Sequence, residues 1–404
     1  MKKHAPASPT RFIRYLPDDP LATRPELEIV PAPIASPGSP RVRLVPRGGP
    51  IPPPALYTPG SEEFLDWQLQ EALRRGVELW ASLAPSFRAW QGGRAELDVI
   101  ADEGEDLNAF YDRAALHFFH RRDPVTRQVV RSGASVDVSC HEQGHAVLDA
   151  LRPDLWDAAS FEVSAFHEAF GDVSALLVVL QDERIRQDAV SETGGRLTRS
   201  NEVSRLAEQL GRAIRDIYGP GAAPRDCLRE AAGDLAYVPP GRLPAQGPDA
   251  ELTREPHSFS RVFTGAFYET LARTAEALAS PADSAALLAS SALHGAALAR
   301  AVTLARRDVR WMKAVGEAWL AALETGPARE VCREVLTRRG ILPGPQAEVA
   351  GTSRWDEREQ FVRDLRASGR LLEPGRPMRA CPGLPTHALL VRSGRPCLRR
   401  LRIE

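Results

Sequence analysis

Two histidines and a glutamate stand in the run His141-Glu142-Gln143-Gly144-His145. On an α-helix, residues four apart lie one above the other on the same face. His141 and His145 can therefore aim two imidazoles at one point, with Glu142 beside it. Two imidazoles and an adjacent carboxylate are the partial ligand set and general base of a helix-borne zinc site. The flanking Val136, Val138, Cys140, Ala146, Val147, Leu148 and Leu151 predict a largely apolar helix over Val136–Leu151. Unpaired polar groups in such a helix cost several kcal/mol, so a cation gives the trio a reason to be there. Gly144 costs about 1 kcal/mol relative to alanine within a helix. That cost is tolerable where another backbone comes close.

A catalytic zinc takes three protein ligands and keeps one position open. Residues 164–180 read as a second apolar helix with an acidic insert, Phe166-His167-Glu168-Ala169-Phe170-Gly171-Asp172. Glu168 and Asp172 are four apart and share a face. One carboxylate can bind the metal; the other can accept the free N–H of a ligating histidine and fix its tautomer. His167 points about 100° away from Glu168 around the helix, which makes it the weaker ligand candidate.

His-Glu-Gln-Gly-His-Ala-Val-Leu-Asp followed by Phe-His-Glu-Ala-Phe-Gly-Asp-Val resembles the thermolysin family of secreted zinc endopeptidases, within the gluzincin group. Three further patches follow the family's order. Asn108-Ala109-Phe110-Tyr111 looks like its substrate strand, Asp226-Cys227-Leu228-Arg229 like its Ser-Leu-Arg segment, and His257-Ser258-Phe259-Ser260 like its His-x-Asn-Ser segment. The resemblance covers roughly residues 62 to 340. It implies an α+β, two-lobe metallopeptidase: a small mixed N-terminal lobe ending in the zinc helix, then a mainly helical C-terminal lobe. His141, His145 and Glu168 would hold one zinc ion, Glu142 would be the general base, and Asp172 would stand behind a ligand. Asn108 and Ala109 would hold the substrate backbone, Arg229 would grip the carbonyl past the cut, and His257 would donate to the developing oxyanion. Asp249, Glu251 and Glu255 are candidates to orient His257. Trp156 stands near the position of a family tyrosine, and its role is open. Leu228 and Val138 resemble the wall of an apolar side-chain pocket.

Asp137 matches a family calcium ligand, but Leu177-Val178-Val179-Leu180 offers no carboxylate where the others should follow. The double calcium site is therefore expected to be absent or degraded, with Asp137 capping or pairing.

These residues need a scaffold. Ser61 predicts the cap of a helix to about Leu83, packed through Phe64, Trp67, Leu69, Leu73, Val77 and Trp80. Residues 95–101 and 128–130 read as strands, and residues 108–111 as an edge strand able to add a peptide. His117 and His120 read as ordinary strand or loop residues. Residues 185–201 read as a polar loop, residues 202–218 as an amphipathic helix, and residues 259–279, 281–306, 308–323 and 328–338 as further helices, with His294 in their core.

The 404 residues divide into a Pro-rich arm (1–60), an N-terminal lobe (61–150), a helical lobe (151–345) and a basic helix-hairpin appendage (346–404). Fifteen of the 34 prolines lie in the first 60 residues, where residues 11–16 and 41–45 look strand-like. A net charge of −1 gives no bulk electrostatic case for nucleic acid. No secretory leader or membrane span is evident, and five unpatterned cysteines suit a reducing compartment. The expectation is a cytoplasmic zinc endopeptidase acting on peptides or proteins, with a preference for an apolar residue after the cut. The rival is a zinc-bearing interaction protein whose site is covered by its own arm or tail.

Overall fold

The computed structural model describes residues 11–22, 26–34, 38–158 and 160–344. The expected helix-hairpin appendage, with Cys381 and Cys397, lies outside the described residues.

The chain is a mixed α+β protein. Strands come first: β1 (Phe12–Tyr15), β2 (Glu28–Pro31) and β3 (Arg41–Leu44) precede helix α1 (Glu62–Leu83). Then come β4 (Glu96–Ile100), β5 (Ala109–Tyr111), β6 (Ala115–Phe118), β7 (His120–Arg122) and β8 (Val129–Arg131). Helices α2 (Val136–Leu151), α3 (Phe161–Val179) and α4 (Glu183–Thr193) follow, then β9 (Arg205–Leu206), α5 (Glu208–Tyr218) and β10 (Arg229–Glu230). Helices α6 (Pro256–Leu278), α7 (Ser284–Leu304), α8 (Trp311–Ala322) and α9 (Pro327–Arg338) complete the described part.

The largest sheet has the order β3-β4-β6-β5. Its first three strands are parallel, and β5 pairs antiparallel with β6, Ala109 opposite Phe118. The expected edge strand is thus an edge. Serine caps start three of the helices that matter most. The hydroxyls of Ser61, Ser135 and Ser160 accept the N–H groups of Phe64, Val138 and Val163.

Helix α1 is the platform for α2. Gln143 on α2 donates to the Leu73 carbonyl at 2.7 Å. Its side chain occupies the space where a Cβ on Gly76 would sit, 1.8 Å from Gln143 Oε1. Trp80 stacks on Phe170 of α3 with ring centroids 4.6 Å apart.

Several expectations change. Residues 185–193 of the expected polar loop are helical, because Asp182 caps α4 and Gly194 closes it in the left-handed conformation, and residues 194–201 remain turn and loop. The helix expected over residues 202–218 begins only at Glu208. Asn201 Oδ1 accepts the Val203 N–H and ties a turn, after which Leu206 pairs with Arg229. The helix expected from Phe259 begins instead at Pro256, so His257 lies in its first turn. Helix α7 is long and apolar enough to cross a membrane, against the sequence expectation, but 61% of its apolar window is buried inside the protein. His294 on α7 is bonded to Thr274 at 2.9 Å and meets Trp319 edge-on.

In the described part of the Pro-rich arm, the strand-like stretches expected over residues 11–16 and 41–45 are β1 and β3. β1 and β2 pair with each other, β3 joins the main sheet, and Tyr15 and Leu44 belong to the hydrophobic core. The Arg75 guanidinium of α1 lies 4.1 Å from the Tyr15 ring centre. Tyr15→Ala is expected to cost roughly 3–5 kcal/mol in urea unfolding. Phe12→Ala, at a site 47% exposed, should stay within about 0.5 kcal/mol.

Candidate metal centre and surrounding cleft

His141, Glu142, His145, Glu168 and Asp172 are placed by two helices that touch at glycine. A Cβ on Gly144 of α2 would lie 2.9 Å from Gly171 Cα and 2.5 Å from Ser174 Oγ. A Cβ on Gly171 of α3 would lie 2.7 Å from His141 Nδ1 and Cε1. Real side chains do not tolerate such distances, so both positions need glycine. The helices close to backbone contact, and the two histidines of α2 face the acids of α3.

His141 Nε2 lies 3.3 Å from Glu168 Oε2, and His145 Nε2 lies 3.7 Å from Glu168 Oε1. Ligand bonds of about 2.0–2.2 Å at tetrahedral angles put neighbouring ligand atoms about 3.4 Å apart. The observed separations straddle that value. His141 Nε2 and Glu168 Oε2 are buried and make no hydrogen bond. They are close without being aligned on each other, as expected of donors aimed at a shared point. The group His141, His145 and Glu168 can hold a metal ion.

Asp172 holds the back of the site. Its Oδ1 lies 3.0 Å from His141 Nδ1 and 3.1 Å from Arg229 Nε, and its Oδ2 accepts from the Thr264 hydroxyl at 3.0 Å. A proton on Nδ1 facing this carboxylate leaves the His141 Nε2 lone pair free. Arg229 is buried on β10 rather than ion-paired at the surface, and its Nη1 lies 3.9 Å from Glu168. His257 Nε2 comes within 3.0 Å of Glu168 Oε2.

Of the three candidates to orient His257, the structure selects Glu255. Its Oε1 lies 2.5 Å from His257 Nδ1, while its Oε2 caps α6 by accepting the Ser258 N–H. Asp249 pairs with Arg261 instead. Burial works against a charged His257, but Glu168 and then Glu255 outweigh it and push its pKa up to about 9. Burial raises the Glu142 carboxyl to about 7. The same burial depresses His145 well below the usual imidazole range.

A cleft beside Glu142 and His141 is lined by Asn108, Ala109 and Arg229 and walled by Val138, Leu206, Leu210, Ile214 and Leu228. None of the described residues before position 61 lines it. Other candidates stay outside the centre. His117 pairs with Glu103, and His120 with Asp102. His167 is fully buried behind His145, between that ring and Trp156. Trp156 also packs on Tyr111 and under the Arg113 guanidinium, which Asp149 holds. Trp156 is packed behind the site and does not line the cleft. Sequence reasoning missed Thr264 and the role of Gly171. The Glu255-Pro256 pair, a cap before a first-turn proline, was the available signal for Glu255.

No known family's model matches this chain, and no curated protein matches it.

Asp172→Ala should weaken metal binding about 10- to 100-fold in a competitive chelator titration, with the helical circular dichroism unchanged. Gly171→Ala should also lower affinity, because the new methyl group displaces His141.

Proposed function

We propose that this chain is a thermolysin-like zinc metallopeptidase that hydrolyses internal peptide bonds. The observation that carries this reading is the placement of His141, His145 and Glu168 at the ligand spacing of a tetrahedral ion, with Glu142, Arg229 and His257 around the same point. Two nitrogens and a carboxylate suit zinc. The mixed sheet ahead of α2 and the helices after it are in keeping with the two-lobe architecture of that family.

When bound, zinc supplies Lewis acidity toward the scissile carbonyl and lowers the pKa of water toward 7. The protein's own groups do the rest. Glu142, adjacent to His141 and lining the cleft, is suited to take a proton from the attacking water and return it to the leaving amine. His257, held through Nδ1 by Glu255, offers Nε2–H to the charge developing on the carbonyl oxygen; such a donor contributes roughly 3–4 kcal/mol. Arg229 offers planar donors to the carbonyl past the cut. The edge of β5, with Asn108 and Ala109, can align a peptide as an added strand. The apolar wall of Val138, Leu206, Leu210, Ile214 and Leu228 favours an apolar side chain after the cut. The rival reading is a site covered by the chain's own arm or tail; the described N-terminal residues do not line the cleft, and the tail lies outside the described residues.

The test is digestion of a peptide library by the full chain, with metal analysis. The zinc-loaded protein should cut internal bonds before apolar residues, lose activity on chelation and regain it with zinc. Glu142→Gln should keep one zinc per chain and lose about 100- to 10,000-fold in kcat. His257→Ala should lose about 100- to 1,000-fold in kcat. A zinc-loaded chain that cuts nothing, or a Glu142→Gln protein as active as the parent, would overturn the reading.

A further inference from the structure

Helix α6 reaches the centre at two points. His257, in its first turn, brings Nε2 within 3.0 Å of Glu168 Oε2. Thr264, seven residues later, donates its hydroxyl to Asp172 Oδ2 at 3.0 Å. Seven residues are close to two full helical turns, so the two side chains share a face of α6. Glu168 and Asp172 are one turn apart on α3. Two polar contacts therefore set α6 against the two acids of α3, one at each.

The Thr264 hydroxyl is turned away from its usual local partner. Inside a helix, a serine or threonine hydroxyl commonly bonds back to a carbonyl three or four residues earlier. On this same helix Thr270 does so, to the Ala266 carbonyl at 2.7 Å, and Ser260 does so, to the His257 carbonyl at 2.7 Å. Thr264 gives its proton to another helix instead. Thr264 and Asp172 are each 2% exposed, so water does not compete for either group.

The Asp172 carboxylate has a use for that donor. Its Oδ1 is taken by His141 Nδ1 at 3.0 Å and Arg229 Nε at 3.1 Å. Contacts at one oxygen leave a carboxylate free to turn about its Cβ–Cγ bond, because that terminal torsion is broad. A donor at the second oxygen fixes the plane of the group. Phe166 meets Phe263 with ring centres 5.0 Å apart, and Phe161 meets Phe259 at 5.1 Å, so α3 and α6 are also pressed together by apolar contact. Apolar contact is non-directional and cannot set that plane.

We propose that Thr264 is a positioning residue of the metal centre: its hydroxyl holds the Asp172 carboxylate in the plane that presents Oδ1 to His141, and so ties the register of α6, which carries His257, to metal loading. The assignment rests on the metal-centre part of the function proposed above. Loss of the hydroxyl has two consequences. It lets Asp172 turn away from His141, whose ring is then held less firmly with Nε2 toward the ion. It also removes one of the two contacts that set α6 against the acids of α3.

The test does not depend on peptidase activity. Metal-stripped full-length protein is titrated with zinc against a competing chelator. Thr264→Val keeps the shape of the side chain and removes the hydroxyl; Thr264→Ser keeps the hydroxyl and removes a methyl group. The valine variant should bind zinc about 10-fold more weakly, and the serine variant should stay within about threefold of the parent. With histidine labelled at its ring nitrogens, the zinc-loaded parent and serine variant should show the His141 Nδ1–H as a slowly exchanging downfield proton. In the valine variant that proton should be broadened by exchange. Thr264→Ala carries the same comparison if the valine variant does not fold. Zinc binding as tight without the hydroxyl as with it, or an equal loss in the serine variant, would overturn the assignment and leave Thr264 a packing residue. A parent protein that binds no zinc would instead remove the metal-centre reading, and this assignment with it.

Discussion

The contact between α2 and α3 governs the centre. Helices with ordinary side chains at their crossing pack about 8–10 Å apart. Here glycine faces glycine: Gly144 meets the Gly171 backbone and Ser174, and Gly171 meets the His141 ring. That approach lets a carboxylate on one helix reach the imidazole nitrogens on the other at 3.3 and 3.7 Å. A methyl group added at Gly144 would meet the Gly171 Cα at 2.9 Å, closer than side chains pack. The glycines lower helix propensity by about 1 kcal/mol each, and packing offsets the loss. Trp80 on Phe170, Phe166 on Phe263, and Gln143 on the Leu73 carbonyl hold the pair from both sides.

Around that contact, buried charge is matched group by group. Glu168 has two histidines of α2, His257 of α6 and Arg229 of β10 around it. Asp172 is shared by His141, Arg229 and Thr264. The partners arrive on three elements, α2, β10 and α6. The long separations in sequence between positions 141, 168, 229 and 257 are closed by one polar cluster, and the fold must be complete before the cluster is.

That requirement explains what the sequence could and could not tell. Both site helices were legible, because His141 and His145, and Glu168 and Asp172, obey the four-residue helical period within apolar runs. The caps at Ser61 and the edge strand at Asn108 were legible for equally local reasons. The placement of Asp182 as a cap was local too, yet the polar residues after it read as loop, because α4 buries only a narrow stripe. The late start of α5 was hidden by the amphipathic spacing of Val203 and Leu206. A turn at Asn201 and a strand pairing with Arg229 take precedence there. Thr264 and Glu208 carry no local signature, since what matters about them is which distant residue they face. In the N-terminal segment the strands around Tyr15 and Leu44 were legible between the prolines, whereas the pairing of β3 with the main sheet and the burial of both side chains in the core depend on distant residues.

The contrast between the two acidic groups on either side of His141 shows how buried charge sets requirements on a fold. Glu168 and Asp172 are surrounded by imidazole and guanidinium, so the protein itself supplies their counter-charge. Asp18, Asp137 and Glu208 are just as buried, and Arg205 at 3.9 Å from Glu208, committed to Glu192, does little for them. Identical chemistry at similar burial therefore has different surroundings: the first group has imidazole and guanidinium partners, whereas burial and neighbouring acids raise the pKa of every member of the second. Because Asp137 and His141 are one turn apart on the same helix, whichever charge state the second group adopts bears on the seating of α2. The stability of that helix and the placement of the first ligand of the candidate metal centre are consequently linked through four residues of backbone.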